Sequence, residues 1–527
     1  MKKNLLIKVI LGLVLCLFIG INVRGKAKAS PFPDPYKTPR MVTLTIYNDN
    51  GIHMGFNWNT NHYTSSDVEV VRDDDSNTFT SSSVIRSSGT FRVSLASEAD
   101  GIIHSAISGE LEYNTKYKYR VGDAELNIFS EVGTFTTGSN TYKPFNIVHV
   151  SDPQASSENY YNVYGTLLSE AIKTNPSFII NTGDMVESNW IGHIPNLDQW
   201  EWVLTDRFNI MKDYPLMAVA GNHEEASYDF SSRFNVNSPE SCDGRSGLYY
   251  SYDYNGVHFL AINTNDTQGR ESATDATGLS STQLEWIEND LKNNQNAKWI
   301  IVYMHKGIFD SGGHSVNEEG KDYDIAKIRN QLAPLFSTYK VSLVLQGHDH
   351  LYSKTYPVNA KIVNNSLEAI GNKEAIKLSY TYNETEYEVY NGYEGTIYLN
   401  SGSSTGSKYY VPIEGMYSKD IIEYTENPSM VMYSNIIFTE DALLVNTYTL
   451  NTLGEKSLYK TFGILNEKRD VPKPIDPDNP DNPDNPTKDN KVLIILLCTT
   501  IPTVTMLSCG VTFIIVRKKK KENIKND

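Results

Sequence analysis

Residues 341–350 read VSLVLQGHDH, an apolar run that ends abruptly in two histidines at alternate positions. The run predicts a buried strand, because it is short and continuous. Side chains two positions apart in an extended segment project to the same side, so His348 and His350 can reach one point in space, which is most simply a metal ion. Two histidines at this spacing also occur by chance in surface turns, and the assignment therefore depends on ligands elsewhere in the chain.

Similar apolar runs recur from residue 143 onward. They cover residues 146–150, 178–181, 216–220, 257–262, 299–303 and 341–345. Such runs are typical of strands buried on both faces, and segments of helical periodicity alternate with them. One of these segments has a capping box at Thr282 and Glu285 and carries Leu284, Ile287 and Leu291 on one face. This part of the chain is therefore predicted to be α/β.

All but one of these runs are followed at once by a candidate metal ligand. The strings are SDPQ with Asp152, GDMVE with Asp184, GNHE with Asn222 and His223, VYMH with His305, and GHDH with His348 and His350. The carboxyl ends of parallel strands meet at one edge of a sheet, where such folds place their sites. Each string alone is a weak signal, but the five in order predict a site for two metal ions.

The preceding part of the chain has a different pattern. Between residues 38 and 138, short alternating runs such as MVTLTIY and KYKYRVG are separated by clusters of Asn, Asp, Gly and Ser. This spacing predicts an all-β antiparallel sandwich. The lone histidines His53, His62 and His104 lie outside any ligand cluster, and we expect them to be surface or packing residues.

The order of the motifs resembles that of the calcineurin-like metallophosphoesterases. Within that family, GHDHLYSKTYP and the sandwich that begins TPRMVTLTIYNDNGIHMGFNW are similar to the purple acid phosphatase branch, which has a fibronectin-III-like amino-terminal domain. The resemblance implies this domain at residues 38–138 and a metallophosphoesterase domain, a β-sandwich flanked by helices, at residues 143–465. It also implies that Asp152 and His350 bind one metal, that Asn222, His305 and His348 bind the other, and that Asp184 bridges the two.

The chemistry of a two-metal phosphohydrolase agrees with this implied ligand set. A shared carboxylate reduces the repulsion between two nearby cations, and the cations lower the pKa of bound water, so that a metal-bound hydroxide can attack phosphorus. A proton for the leaving group is expected from His223, whose ring Glu224 would orient. His314 matches, more loosely, the position of a substrate-binding histidine, with an exposed loop histidine as the alternative. His149 and His258 lie inside strands and are expected to pack or to support the ligands.

The sequence departs from the purple branch at two positions. Glu187 stands where that branch has a tyrosine whose phenolate stabilises ferric iron and gives the colour, and Gln154 stands where the wider superfamily has a histidine. The first metal is a ligand short unless the Gln154 carbonyl or water completes it. Ligation by oxygen and nitrogen alone predicts two divalent ions, Mn, Zn or Fe(II), in a colourless protein.

The two ends of the chain carry targeting patterns. Residues 1–29 have the basic start, apolar run and small-residue site of a secretory signal peptide, with a retained anchor as the alternative. Residues 470–490 form a linker rich in Pro and Asp, residues 492–516 are apolar enough to span a bilayer, and residues 517–527 form a basic tail. The positive-inside rule places that tail in the cytoplasm and the rest of the mature chain outside the cell. Only Cys242 then remains in the exterior part, so no intrachain disulfide is expected there.

These observations favour a single-pass, membrane-anchored enzyme whose catalytic domain is extracellular. A net charge of -16 argues against a nucleic-acid footprint, and a small phosphoester is the expected substrate. The leading hypothesis is hydrolysis of phosphate monoesters, as in an acid phosphatase. A phosphodiesterase or nucleotidase acting on nucleotides or envelope phosphodiesters is the second reading. A non-catalytic surface binding protein with a relic metal site is the third.

Overall fold

The computed structural model of the chain describes residues 37–74, 76–93, 101–189, 194–195, 197–205, 208–224, 229–268, 276–315, 323–413 and 420–468. The predicted signal peptide, the linker, the apolar segment 492–516 and the basic tail lie outside these residues. Within the described ranges, none of the helices has both the length and the apolar character needed to span a bilayer.

The first part of the chain folds into two antiparallel sheets. Its strands are β1 (Arg40–Ile46), β2 (Met54–Thr60), β3 (Asp67–Arg72), β4 (Ile85–Ser88), β5 (Thr90–Val93), β6 (Ile102–Ile107), β7 (Lys116–Asp123), β8 (Ile128–Phe129) and β9 (Gly133–Thr136). One sheet has the order β1-β2-β6-β5, and the other has the order β4-β3-β7-β8, with β9 also pairing with β7. Alternate residues such as Phe56, Trp58 and Tyr119 are fully buried. This is the predicted amino-terminal sandwich.

The described residues of the second part form two larger sheets, two hairpins and five α-helices. The first strands are β10 (Phe145–Val150), β11 (Ile179–Asn181), β12 (Ser188–Asn189), β13 (Ile194–Pro195), β14 (Leu216–Ala218), β15 (Tyr250–Tyr254), β16 (Val257–Ile262), β17 (Trp299–Lys306), β18 (Leu343–Gly347) and β19 (Tyr352–Thr355). They are followed by β20 (Val358–Val363), β21 (Ser366–Gly371), β22 (Lys377–Tyr382), β23 (Thr385–Tyr390), β24 (Ile397–Ser401), β25 (Ile422–Glu426), β26 (Val431–Phe438), β27 (Ala442–Leu450) and β28 (Lys456–Leu465). The helices are α1 (Glu158–Ala171), α2 (Leu197–Leu204), α3 (Asp229–Arg233), α4 (Ser281–Asn294) and α5 (Tyr323–Thr338).

Each of the two large sheets contains a block of parallel strands, at one edge of the first sheet and in the centre of the second. The eight-stranded sheet has the order β14-β11-β10-β26-β27-β28-β23-β22, and the seven-stranded sheet has the order β15-β16-β17-β18-β24-β19-β25. Strands β10, β11 and β14 are parallel to one another, as are β16, β17, β18 and β24. All six predicted apolar runs are strands of these two sheets. The predicted fold class, an α/β β-sandwich domain preceded by an all-β sandwich, is confirmed.

The side chains of β17 show how the layers pack. Ile301 and Tyr303 join the cluster that also contains residues of the eight-stranded sheet, whereas Ile300 and Val302 join a second cluster with α4 and α5. Successive side chains of a strand point to opposite faces, so a continuous apolar run can fill two layers at once. This explains why the central strands do not alternate between polar and apolar residues.

Helix α4 begins earlier than its predicted capping box. The hydroxyl of Ser280, rather than that of Thr282, accepts the backbone N–H of Gln283 at 3.2 Å, and the helix starts at Ser281. Both serine and threonine cap helices well, so a run of three hydroxyl residues leaves the start ambiguous in sequence. The predicted apolar face is correct, since Ile287 and Leu291 are buried.

The amino-terminal sandwich packs directly against the second domain. Thr43 Oγ1 donates to the Arg233 carbonyl at 2.6 Å, and Asn57 Nδ2 donates to the Ser232 carbonyl at 2.9 Å. Both contacts reach helix α3, which follows the segment that carries Asn222. The sandwich therefore packs against helix α3 of the second domain, and it supplies none of the predicted ligands.

Candidate metal centre

The carboxyl ends of the parallel strands bring the predicted ligands together. Asp152 follows β10, Asp184 follows β11, Asn222 follows β14, and His305 lies near the end of β17, while His348 and His350 follow β18. Two overlapping groups have ligand atoms within 4.8 Å of one another: Asp184, His305 and His348 form one, and Asp152, Asp184 and His350 form the other. Asp184 is the residue common to both groups.

Backbone geometry aims these side chains inward. Asp152, Asp184 and His348 have positive φ angles of 51°, 49° and 74°. A residue other than glycine seldom adopts this conformation, and such residues cluster at functional sites when the surrounding structure holds them. Here two of these residues hold each other in place, because the His348 N–H donates to both carboxylate oxygens of Asp152 at 3.1 and 3.2 Å. The strained turns therefore fix one ligand against another.

Hydrogen bonds also fix which nitrogen of two histidines faces the centre. The Nδ1 of His305 lies 2.8 Å from the Thr182 carbonyl, and the Nδ1 of His350 lies 3.3 Å from the Lys408 carbonyl. A carbonyl only accepts, so each Nδ1 carries the proton and each Nε2 presents a lone pair. This is the arrangement that metal-binding histidines need.

The lone pairs meet other acceptors inside the cluster. The His305 Nε2 lies 3.0 Å from Asn222 Oδ1 and 3.3 Å from Asp184 Oδ2, and the His350 Nε2 lies 3.4 Å from Asp152 Oδ1. Acceptors repel one another at these distances unless a proton or a cation lies between them. The side chains therefore fit two metal ions, each with oxygen and nitrogen ligands.

The charges of the centre are consistent with a cation site. Burial opposes a charge on His305, but Asp184 and Asp152 outweigh it and raise the pKa of His305 to about 9. Burial likewise opposes ionisation of Asp184, yet His305 and His223 hold its pKa well below the usual value. Excess negative charge in a buried cluster attracts either a proton or a metal ion.

Glu224 has a different role from the one predicted. Instead of orienting the His223 ring, its carboxylate accepts backbone N–H groups of Asp184, Val186 and Gly221 at 2.9, 2.9 and 2.7 Å. Burial, followed by the charge of Asp184, raises the pKa of Glu224 to about 8. Glu224 thus holds the turn that presents Asp184.

The two predicted catalytic histidines lie at the edge of the cluster. The His223 backbone N–H donates to Asp184 Oδ1 at 3.0 Å, and its ring Nδ1 lies 3.5 Å from Glu187 Oε1. The ring of His314 lies 4.2 Å from that of His348, centroid to centroid. Both rings are only partly buried, so a ligand at the centre can reach them.

Asp349, between the two ligand histidines of the GHDH string, anchors the loop of His314. Its carboxylate accepts the His314 backbone N–H at 3.4 Å and the Ser315 hydroxyl at 3.0 Å. Burial raises the pKa of Asp349, and the positive potential of His314 opposes that rise. Asp349 was not among the predicted site residues, although its position between His348 and His350 indicates that it lies close to the centre.

The segment after β24 forms a wall of the centre that the sequence analysis missed. Ser403 Oγ donates to the Asp152 carbonyl at 3.0 Å, and the ring of Tyr410 stacks on His350 with centroids 4.7 Å apart. Lys408 Nζ lies 2.8 Å from Glu187 Oε2. Glu187 is therefore ion-paired, and it belongs to neither of the two ligand groups found among the described residues.

Gln154, the possible additional ligand, lies beside Asp184. With its amide oriented to satisfy its neighbours, Nε2 donates to Asp184 Oδ2 at 2.6 Å. Its Oε1 accepts from Lys408 Nζ at 2.9 Å and from His223 Nε2 at 3.2 Å. In that orientation the amide nitrogen, and not the oxygen, faces Asp184.

The remaining strand histidines differ in their surroundings. Buried His149 bonds Ser401 Oγ and Thr182 Oγ1, both at 3.0 Å, and burial lowers the pKa of His149 to about 3. His258 lies between two carboxylates far along the sheet from the ligands. In the sandwich, His104 is buried and stacks on Trp58 with centroids 5.0 Å apart.

Comparisons with known proteins agree with this fold and site. Residues 145–352 match the family described as Calcineurin-like phosphoesterase, and residues 39–137 match the one described as Purple acid Phosphatase, N-terminal domain. "Purple acid phosphatase 23" of Arabidopsis thaliana is 29% identical over 291 residues, which cover 49% of this chain and 59% of the relative. "Probable inactive purple acid phosphatase 1" of the same plant is 28% identical over 291 residues, 49% of this chain and 44% of the relative.

A solved structure shows the same architecture. The purple acid phosphatase from yellow lupin (Lupinus luteus) seeds superposes with a TM-score of 0.59 and 17% identity, covering 83% of this chain and 78% of that one. At this identity the likeness concerns the fold alone.

The fold and the site together define a two-domain protein whose buried Asp and His clusters fit a dinuclear metal site. The chain belongs to the calcineurin-like metallophosphoesterases and carries a purple acid phosphatase amino-terminal domain. It spans about half the length of the curated relatives it matches.

Proposed function

We propose that the chain hydrolyses phosphate monoesters at this centre. The observation that carries the proposal is the pair of ligand groups sharing Asp184, with His223 and His314 at their edge. Two divalent ions, when bound, would activate a water nucleophile and polarise the phosphoryl oxygen. Mn, Zn and Fe(II) all accept these ligand types.

The chain's own residues would bind and orient the substrate around the ions. His223 is positioned by its backbone bond to Asp184 and can pass a proton to the leaving oxygen. His314 lies against His348, with the two rings tilted by 49°, and would offer a second ring nitrogen to a phosphoryl oxygen. Asn222 is a neutral ligand, and this neutrality preserves the positive charge that attracts an anionic phosphate.

The test is release of phosphate from an aryl phosphate by metal-loaded protein. Asp184→Asn and His305→Ala should each lower turnover by at least about a hundredfold, because the first removes the negative charge shared by the two ligand groups and the second removes a nitrogen ligand. His62→Ala, an exposed change in the sandwich, is the matched control and should leave turnover intact. Unchanged turnover in both ligand variants would exclude the proposal.

A bis-aryl phosphodiester assayed beside the monoester distinguishes a phosphomonoesterase from the alternative, a phosphodiesterase or nucleotidase. A monoesterase should favour the monoester, since its dianion is attracted more strongly to the positive centre than a diester monoanion. Faster hydrolysis of the diester would instead identify a phosphodiesterase or nucleotidase.

One observation favours a non-catalytic role as the second candidate function. The group containing Asp152 and His350 lacks both the tyrosine of the purple branch and a histidine at Gln154, and Glu187 is engaged by Lys408. The relative named "Probable inactive purple acid phosphatase 1" is 28% identical to this chain, and "Purple acid phosphatase 23" is 29% identical. Binding of two metal ions with no hydrolysis of any phosphoester would support this candidate.

We propose further that the enzyme acts outside the cell, held by a single span at residues 492–516. The support lies in the sequence alone, where an apolar stretch precedes Arg517 and four lysines and a signal-peptide pattern begins the chain. A chain truncated after residue 490 should then appear in the medium, and protease added to intact cells should remove the activity of the full chain. Activity confined to the cytoplasmic fraction would contradict this placement.

A further inference from the structure

The side of the centre served by Asp152 and His350 contains an ammonium group. Lys408 Nζ lies 3.0 and 2.8 Å from the two carboxylate oxygens of Glu187, and its side chain is 32% exposed. The backbone of Lys408 is tied to the same side, because its carbonyl faces His350 Nδ1 at 3.3 Å. The Ser407 hydroxyl also donates to the backbone carbonyl of Gln154. The position of the lysine is therefore built from several contacts.

This ammonium decides which way the Gln154 amide faces. An ammonium only donates, so the group 2.9 Å from Lys408 Nζ must be the amide oxygen. The amide nitrogen then faces Asp184 Oδ2 at 2.6 Å and donates to it. The opposite orientation would set two donors against each other at Lys408, whether or not a metal ion is bound.

An amide nitrogen does not bind a hard divalent ion, whereas an amide oxygen does. With its oxygen held by Lys408, Gln154 is a hydrogen-bond donor to the shared carboxylate instead of a ligand. This side then has three protein ligands, Asp152, Asp184 and His350. The other side has four, because Asn222, His305 and His348 are joined there by the shared Asp184. The ammonium also repels a cation nearby.

We propose that Lys408 controls the loading of the metal position served by Asp152 and His350 by holding the Gln154 oxygen away from it. The two positions therefore differ in affinity, and the Lys408 side is the weak, exchangeable one. Glu187 is the positioning residue that keeps the ammonium in place. The inference concerns metal loading, so it holds for any phosphoester substrate and for a chain that binds metal without hydrolysis.

The first measurement uses the unmodified full chain. Metal-free protein titrated with Mn²⁺ or Zn²⁺ in a calorimeter should bind two ions in separate steps, with dissociation constants about tenfold or more apart. Exhaustive dialysis of the loaded protein should leave one ion per chain by elemental analysis. Two ions bound with equal affinity would overturn the inference without any variant having to fold.

The second measurement changes the lysine. Lys408→Met keeps most of the length of the side chain and removes its charge and donors, which releases the Gln154 oxygen to turn toward the ion. The weak site should tighten about tenfold or more. Lys408→Arg retains a donor-only cation and should leave both affinities near those of the unmodified chain, and circular dichroism confirms that each variant is folded.

A double variant distinguishes the amide from a general charge effect. Removing Lys408 also leaves Glu187 unpaired near the ion, and this alone would raise affinity. In a Gln154→Met background, Lys408→Met should lose most of its gain, because no amide oxygen is left to turn. A gain of undiminished size in this background, or a Lys408→Met chain with no gain, would refute the assignment. Phosphatase assays are not needed for any of these readouts.

Discussion

A buried histidine between two carboxylates makes the stability of this protein depend on pH. His258, on β16, places Nδ1 2.7 Å from Asp253 Oδ1 and Nε2 2.7 Å from Asp290 Oδ2. Burial alone would lower the pKa of His258, but the two carboxylates outweigh it and raise the pKa from 6.5 to about 9. Because Asp290 lies on α4, the charged ring ties that helix to the sheet.

The size of the effect follows from the rise in pKa. A pKa of about 9 in the folded chain, against 6.5 when unfolded, corresponds to about 3 kcal/mol of folding free energy. The pKa is higher in the folded state, so the stabilisation is complete below about pH 6.5 and is lost as the pH rises through about 9. Asp290 is 12% exposed and Asp253 is 43% exposed, so solvent screens the pair with Asp253 more strongly.

The assay is urea unfolding of the unmodified chain and of His258→Gln between pH 6 and pH 10. The stability difference between the two should shrink by about 3 kcal/mol over this range, and Asp290→Asn should reduce the pH dependence more than Asp253→Asn does. A difference that stays constant with pH, or that grows as the pH rises, would show that the ring is neutral in the folded chain.

Further predictions concern the metal centre. In Gly221→Ala the new Cβ would lie 2.0 Å from Asp184 Oδ1, so the variant should lose bound metal by elemental analysis, and normal metal content would contradict the geometry of the turn. The metal-loaded protein should show no visible charge-transfer band, because Glu187 replaces the tyrosine of the purple branch; a purple sample would mean that another phenolate binds iron. His223→Asn should slow hydrolysis of an alkyl phosphate by about 10²- to 10⁴-fold and of an activated aryl phosphate by less, and equal losses would exclude a proton-donor role.

The positions of the candidate ligands were predictable because each lies in a short string at a strand end. Asp152, Asp184, His305 and the GHDH histidines need only local sequence and the rule that parallel strand ends converge. The fold class followed in the same way, since the buried runs and the alternating runs mark the two kinds of sheet.

The contacts around the first metal position were not predictable from local sequence. Lys408 and Glu187 are separated by 221 residues, and their contact depends on how the segment after β24 packs on the sheet edge. Glu224 was misassigned for a related reason. Its neighbour in sequence is His223, but three buried backbone N–H groups compete for its carboxylate, and a buried donor without a partner costs more than an unoriented ring.

The departures from the purple branch compensate one another in charge. A glutamate at position 187 adds a negative charge beside Asp152 and Asp184, and on its own it would oppose the approach of an anionic phosphate. Lys408 cancels this charge through a direct ion pair. The same ammonium holds the Gln154 oxygen, so the Glu187 charge is neutralised at the expense of a metal ligand. A chain with both Glu187→Gln and Lys408→Met should therefore keep the net charge of the centre and still bind the ion on the side of Asp152 and His350 more tightly. Glu187→Gln alone leaves the Lys408 ammonium beside that ion without its carboxylate partner. The affinity for the ion should then fall.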